Sequence, residues 1–272
     1  MNILEKIVAR KKVEVELSKK IKSIADLEKE ELFDRTSVSL SDVLKSTSAP
    51  RIISEFKRKS PSKGIINGNV LPEIVTADYV SAGAAALSVL TDIDFFGGSF
   101  DDFLRARKAN PNIPMLRKDF IVDEYQLFEA KSIGADIILL IAACLEPSEI
   151  KSLSQKAHDL GLEVLLEVHN SEELAQSLCD TVDIVGVNNR NLKTFETSIQ
   201  TSIELSAQIP DSFVKISESG LSDAETIFEL FAYGYKGFLI GETFMKTDNP
   251  GAALVALQNN LSQIGNSNPH VI

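Results

Sequence analysis

Eight short apolar runs, separated by helix-like segments, constrain this 272-residue chain more than any other feature. They are Arg51–Glu55 (RIISE), Ala86–Leu90 (ALSVL), Met115–Lys118 (MLRK), Ile137–Ile141 (IILLI), Glu163–Glu167 (EVLLE), Ile184–Asn188 (IVGVN), Val214–Ser217 (VKIS) and Gly237–Ile240 (GFLI). They recur at intervals of roughly 20 to 35 residues, the length of one strand–helix unit. Most are nearly continuous in apolar character, as expected of strands buried on both faces of a parallel sheet. Helix starts fall between them, at Pro72-Glu73, Asp123-Glu124, Glu146-Pro147-Ser148, Ser171-Glu172-Glu173 and Ser222-Asp223. Gly83, Gly134, Gly161 and Gly234 stand where helices should stop before the next strand. The pattern predicts the α/β class and a closed (β/α)8 TIM barrel of about 200 residues. An open doubly wound sheet is the competitor; it usually has fewer strands, and no GxGxxG follows the first run here.

Residues 1–48 differ in texture. Ile3, Leu4, Ile7 and Val8, then Val13, Leu17 and Ile21, recur at helical spacing, so one apolar face is predicted to continue along the segment. Ser39 to Asp42 can cap a short helix through Lys45. The predicted organisation is a helical extension, 1–48, packed on a barrel, 49–272, as one structural domain overall.

Bulk properties mainly exclude. The formal charge of −11 argues against nucleic acid and against docking on anionic lipid. No apolar stretch approaches the ~20 residues of a membrane helix, and the N-terminus lacks the apolar region of a signal peptide. Cys144 and Cys179 form no CxxC and have no flanking His cluster, so neither a disulfide scaffold nor a zinc site is predicted. Cys144 reads as an inert core thiol. A soluble, cytoplasmic protein is the expectation.

A barrel carries its active site at the C-terminal ends of its strands. Those ends supply Glu55 (then Lys57 and Ser60), Lys118-Asp119, Glu167, Asn188 (then Arg190), Ser217-Glu218-Ser219-Gly220, and Gly241-Glu242. Loops are polar anyway, so any one of these could be plain solvated chain. Lys118 and Glu167 are harder to dismiss, because a charge ending an apolar strand is costly without a partner. Acids and lysines converging on one rim shift pKa values and do acid/base work. The turns after the last two strands, Ser219-Gly220 and Ile240-Gly241, either hold a phosphate on backbone N–H groups or merely permit tight turns. The loop 57–70 (KRKSPSKGIINGNV) carries four basic residues against the acidic balance of the chain. It reads as a mobile binding loop favouring an anionic ligand, or as a solvated loop with incidental charge.

Seven strings resemble those of the indole-3-glycerol-phosphate synthase family: SEFKRKSPSKG (54–64), VLTDIDFFGGSF (89–100), LRKDFIVDEYQ (116–126), LLEVHN (165–170), GVNNRNLKTF (186–195), SESG (217–220) and LIGETFM (239–245). They occur in the family's order and cover about residues 50–246. ExKxxSPS, RKDF and GVNNRNL are the specific ones, whereas SESG and IG turns are common to many phosphate-binding barrels. The resemblance implies closure of 1-(2-carboxyphenylamino)-1-deoxyribulose 5-phosphate to indole-3-glycerol phosphate, with loss of CO2 and water. It implies a catalytic set of Glu55, Lys57, Lys118, Glu167, Asn188 and Ser219. It places Ser60, Arg190 and Glu218 against substrate, Gly220, Ile240, Gly241 and Glu242 at the phosphate turns, and Phe96 and Phe120 along the anthranilate pocket. Many relatives are expected to carry a small residue where Glu242 stands; a backbone contact to phosphate, with the side chain turned to solvent, is the predicted resolution.

Ring closure needs a proton on the ketone oxygen as the arene carbon attacks, which suits the Lys118 ammonium. Dehydration needs an acid and a base, which Lys57 and Glu55 can supply, although either lysine could reach the oxygen. Asn188 would bind hydroxyls and Arg190 a carboxylate or phosphate. No cofactor motif and no metal-ligand cluster is present in the sequence. The partner expected is a small anionic sugar phosphate, with non-covalent association to other tryptophan-pathway enzymes left open. The rival readings are another phosphate-binding barrel, such as a Schiff-base aldolase using Lys118, and a non-enzymatic barrel scaffold.

Overall fold

The structure is a computed structural model describing residues 2–192 and 194–267. Lys193 of the GVNNRNLKTF string and the last residues of the predicted 49–272 barrel segment therefore lie outside the described residues.

Every apolar run is a strand: β1 Arg51–Phe56, β2 Ala86–Leu90, β3 Met115–Lys118, β4 Ile137–Ile141, β5 Glu163–Val168, β6 Ile184–Asn188, β7 Val214–Glu218 and β8 Gly237–Ile240. They pair in chain order as a parallel barrel, and β1 closes on β8. Closure excludes the open doubly wound sheet. The helices are α1 Ile3–Ile21, α2 Ile24–Leu27, α3 Leu40–Lys45, α4 Pro72–Ser81, α5 Phe100–Ala109, α6 Tyr125–Ser132, α7 Pro147–Asp159, α8 Ser171–Ser177, α9 Gln200–Ser206, α10 Ala224–Ala232, α11 Glu242–Met245 and α12 Pro250–Ser267. Among the described residues, no helix is long and apolar enough to cross a membrane.

Strand alternation sorts the side chains into two buried sets. Ile53, Leu116, Leu139, Leu165, Ile216 and Leu239 fill the barrel interior. Ile52, Leu87, Ile138, Val164, Val185 and Phe238 pack against the ring of helices. The same alternation puts Glu55, Lys118, Glu167, Asn188 and Glu218 on the inward face at the strand ends, where the apolar filling stops.

The extension runs from the top of the barrel to its bottom. A capping box starts α1, with Asn2 and Glu5 bonding each other's backbone N–H. Its buried residues are Ile7, Lys11 and Val15. The predicted apolar face fails beyond Val8: Val13, Leu17 and Ile21 are 51%, 49% and 85% exposed. The buried seam instead runs through a lysine, because Asp92 and Asp119 wait for its ammonium at 2.9 and 3.0 Å. Lower down, the Tyr125 hydroxyl donates to the carbonyl of Lys22 at 2.8 Å. At the bottom, Asp136 is fully buried and accepts from Arg35 and Arg107, each at 2.5 Å, and from the Val38 and Met115 N–H groups. Finally, α3 plugs the barrel floor with Leu40 and Leu44. The Glu163 carboxylate, from the start of β5, accepts from the Ser39 hydroxyl and the Leu40 N–H at this helix's N-terminus.

Candidate active site

The strand ends open into a cavity of about 340 Å³. Its lining includes Glu55, Lys57, Ser60, Phe96, Lys118, Phe120, Glu167 and Asn188, together with Arg190, Glu218, Ser219, Gly220, Ile240, Gly241 and Glu242. Residues as distant in sequence as Glu55 and Glu242 thus converge on one space. Ile3, Leu4 and Ile7 of α1 form part of the wall, so the extension contributes directly.

Lys118 sits at the centre of a buried charge cluster. Its ammonium lies 2.5 Å from Glu218 and 3.2 Å from Glu167. Burial alone would lower its pKa, but Glu218, Glu167 and Glu55 together hold it far above the usual lysine range. The two acids are driven apart. Burial would raise Glu167, yet Lys118, His169 and Asn188 bring it well below the usual carboxylate range. Burial pushes Glu218 up, and Glu167 repels its charge, so despite Lys118 it rises to about 7. One oxygen of Glu218 is buried with no hydrogen-bond partner, which suits a carboxyl that holds a proton part of the time. Two carboxyls with separated pKa values around one ammonium can give and take protons near neutral pH. Beside them, Lys57 lies 2.7 Å from Glu55.

Two glycines make room for these acids. A Cβ on Gly241 would stand 2.5 Å from Glu55 Oε1, and one on Gly186 would stand 2.6 Å from Glu218 Oε1. On one side, Phe96 and Phe120 form an aromatic wall, their ring centroids 5.9 Å apart. On the other, Ser219 and Gly220 both adopt left-handed backbone, with φ of 69° and 72°. For a serine this costs on the order of 1 kcal/mol, the kind of strain that persists where a turn has work to do. Asn189 steadies that turn, donating to the carbonyl of Ser219 at 3.1 Å and to Ser217 at 3.0 Å.

A sequence profile described as indole-3-glycerol phosphate synthase matches residues 4–257. The chain belongs to this family. The indole-3-glycerol phosphate synthase of Bacteroides thetaiotaomicron is 49% identical over 253 residues, spanning 93% of this chain and 96% of that protein. That of Bordetella pertussis is 40% identical over 259 residues, 94% and 98% of the two chains. Solved structures at lower identity share the fold. Tryptophan synthase subunit alpha from Legionella pneumophila has a TM-score of 0.58 at 14% identity, covering 82% of this chain and 97% of its own. For 3-hexulose-6-phosphate synthase from Salmonella typhimurium the values are 0.62, 12%, 78% and 99%.

Within this indole-3-glycerol phosphate synthase fold, two expectations need correction. The Glu242 side chain does not turn wholly to solvent: 34% exposed, it also lines the cavity, 3.6 Å from Arg190 and 3.8 Å from Lys63, the two cations that draw it in. The basic loop is also less available than its composition suggests. Arg58 turns away to Asp102 at 2.6 Å, and Lys59 donates to the carbonyl of Asp94 at 2.8 Å. Part of that loop is a two-stranded hairpin, Lys59–Ser60 against Gly64–Ile65. Burial pushes the Cys144 thiol up, in keeping with an inert cysteine.

Sequence reasoning missed Lys11, Asn189 and His169. Lys11 looked like one lysine among many. Asn189 and His169 lie within quoted strings, each one residue beyond a strand end, where a polar residue close behind a chemically active one was the available signal.

Proposed function

We propose that this chain catalyses the indole-3-glycerol phosphate synthase reaction, converting 1-(2-carboxyphenylamino)-1-deoxyribulose 5-phosphate to indole-3-glycerol phosphate, CO2 and water. The observation that carries the reading is the buried Lys118 ammonium between Glu167 and Glu218, facing an aromatic wall in the same cavity. The anthranilate ring packs along Phe96 and Phe120, under Ile3, Leu4 and Ile7. The phosphate sits at the Ser219-Gly220 and Ile240-Gly241-Glu242 turns, with Ser60 and Arg190 alongside. Asn188 holds sugar hydroxyls.

In the first step the ring carbon bearing the carboxylate attacks the ketone carbon, and Lys118 delivers a proton to the ketone oxygen. Release of CO2 returns the electron pair to the ring and restores aromaticity. In the second step the new hydroxyl leaves as water, protonated by Lys57. The proton lost from the intermediate passes to Glu55, whose pairing with Lys57 couples the two transfers. Glu167 orients Lys118 and bonds the anilino nitrogen, while Glu218 stands ready to return a proton to Lys118. Each acid or base contributes on the order of 10²–10⁴ in rate.

The same electrostatics oppose the Schiff-base aldolase reading. An amine nucleophile must be neutral, whereas the surrounding carboxylates keep Lys118 charged. We read residues 1–48 as an extension that completes the cavity wall, residues 49–272 as the barrel, and the cytoplasm as the site of action. The deciding experiment is incubation with the carboxyphenylamino-deoxyribulose phosphate while indole fluorescence is followed. Folded protein that produces no signal would sink the assignment.

A further inference from the structure

We propose that His169 is a positioning residue for this reaction, its imidazole bridging Glu167 and Glu173 so that the Glu167 carboxylate is fixed against Lys118. The inference rests on the function just proposed, and deepens it at one position.

His169 lies two residues beyond Glu167, in the turn that leads from β5 to α8. Its side chain is only 8% exposed. Nδ1 lies 3.0 Å from Glu173 Oε2, and the His169 backbone N–H donates to the same oxygen at 2.8 Å. Two bonds from one residue to one oxygen lock the ring plane. Glu173 is itself held, because Asn170 donates to its other oxygen at 2.8 Å and caps its N–H at 2.9 Å. On the opposite edge, Nε2 is buried without a well-aligned hydrogen bond. It lies 3.3 Å from Glu167 Oε1, inside ion-pair distance. The other Glu167 oxygen faces Lys118 at 3.2 Å. A continuous path therefore runs from the first turn of α8 through His169 and Glu167 to the Lys118 ammonium.

Only a protonated imidazole serves both ends, since the neutral ring has one donor and both neighbours are carboxylates. The electrostatics agree. Burial alone would lower the His169 pKa, but Glu167 and Glu173 raise it to about 10. The titratable neighbours reinforce this. Cys144, from the turn after β4, has a thiol raised by burial and by the same two carboxylates, so it contributes no charge of its own. Across a polar cavity that Glu173 also lines stand Lys12, Glu146 and Glu149, one cation against two acids. A fixed positive charge behind Glu167 keeps that acid ionised. It also leaves Glu218 as the carboxyl that carries the mobile proton. This is how a neighbouring shell commonly tunes a reacting one.

The test pairs spectroscopy with kinetics on the full chain. In histidine-labelled protein, NMR should show the His169 ring, assigned by its loss in His169→Gln, still protonated at pH 8, where an ordinary histidine is neutral. His169→Gln keeps a donor toward one neighbour but removes the charge. It should lower kcat about 10-fold or more with KM within about twofold. It should also move the acid limb of the kcat profile to higher pH, because Glu167 loses the cation that kept it ionised. Glu173→Gln keeps the imidazole with one carboxylate fewer, so the alkaline fall in kcat should begin at lower pH. A ring that is neutral at pH 8, or a His169→Gln enzyme with the wild-type kcat and pH profile, overturns the proposal. Failure of the wild type to turn over substrate strikes instead at the function, and the NMR result still decides the bridge.

Discussion

Replacing Lys11 by methionine is expected to loosen the extension from the barrel by a definite amount. The side chain is 5% exposed, and its ammonium lies 2.7 Å from Glu14, 2.9 Å from Asp92 and 3.0 Å from Asp119. Burial would lower its pKa, yet Asp119 and Asp92 raise it, so the group is charged at every physiological pH. Methionine preserves the length of the stem and removes only the charge. Breaking a buried pair by deleting one partner costs about 3–5 kcal/mol, because the other charge is stranded. Asp119 keeps Arg117 at 3.1 Å and Thr91 at 2.6 Å. Asp92 keeps bonds to the Phe95 and Phe96 N–H groups through its other oxygen, but the oxygen facing Lys11 has no hydrogen-bond partner. The loss should therefore fall near the lower end, about 3 kcal/mol, or a fall in Tm of roughly 6–12 °C for a chain of this size. Thermal unfolding followed by circular dichroism reads it. Adding Asp92→Asn to Lys11→Met should recover part of the loss, since the stranded charge is then absent. Because Ile3, Leu4 and Ile7 travel with α1, KM should also rise, by several-fold. A Tm within 1 °C of wild type would show that solvent, not Lys11, satisfies the two aspartates, and the account of the buried seam would fail.

Three further outcomes follow from single contacts. Gly241→Ala places a methyl group against Glu55 Oε1, so kcat should drop about 10²-fold, the cost of a misplacement near 1 Å, with the circular dichroism spectrum unchanged. Glu163→Gln removes the anionic acceptor that holds the start of α3 and should cost about 1–3 kcal/mol in urea unfolding, with kcat little altered. Glu218 has a folded pKa near 7, above its ordinary value, so between those two values the folded state holds a proton that the unfolded state has released. Its contribution to stability therefore falls as pH rises across that window, and the stability difference between wild type and Glu218→Gln should shift against wild type from pH 4.5 to 7.

The barrel was legible because burial on both strand faces leaves an apolar run that a single sequence displays directly. Strand ends were legible for a related reason. Lys118 and Glu167 break such runs abruptly, and a charge there is costly unless a partner meets it. What stayed hidden depends on partners distant in sequence. Nothing local distinguishes Lys11 from the lysines around it; its burial is decided by Asp92 and Asp119, more than eighty residues away. The same holds for Glu242, whose direction is set by Arg190 and Lys63, and for Arg58, which Asp102 takes out of the rim. Periodicity locates faces, whereas charge pairing across the fold decides which charged residue a face will accept.

Pairing also changes what the charge of the site means. A chain with net charge −11 seemed to conceal a cationic rim for an anionic ligand. The cations are present, but each is matched: Lys57 by Glu55, Lys118 by Glu167 and Glu218, and Arg190 by Glu242. An anion is not drawn in by uncompensated positive charge; it competes with built-in carboxylates for cations already engaged. At the exposed edge that exchange is easy, since Glu242 holds Arg190 and Lys63 at 3.6 and 3.8 Å and can swing away. At the buried centre it is hard, because Lys118 is gripped at 2.5 Å by an acid that is itself buried. On the function proposed above, a phosphate would dock by displacing Glu242 while the proton on Lys118 stays bound. On that same reading the proton would move only to a developing alkoxide, a stronger base than either carboxylate.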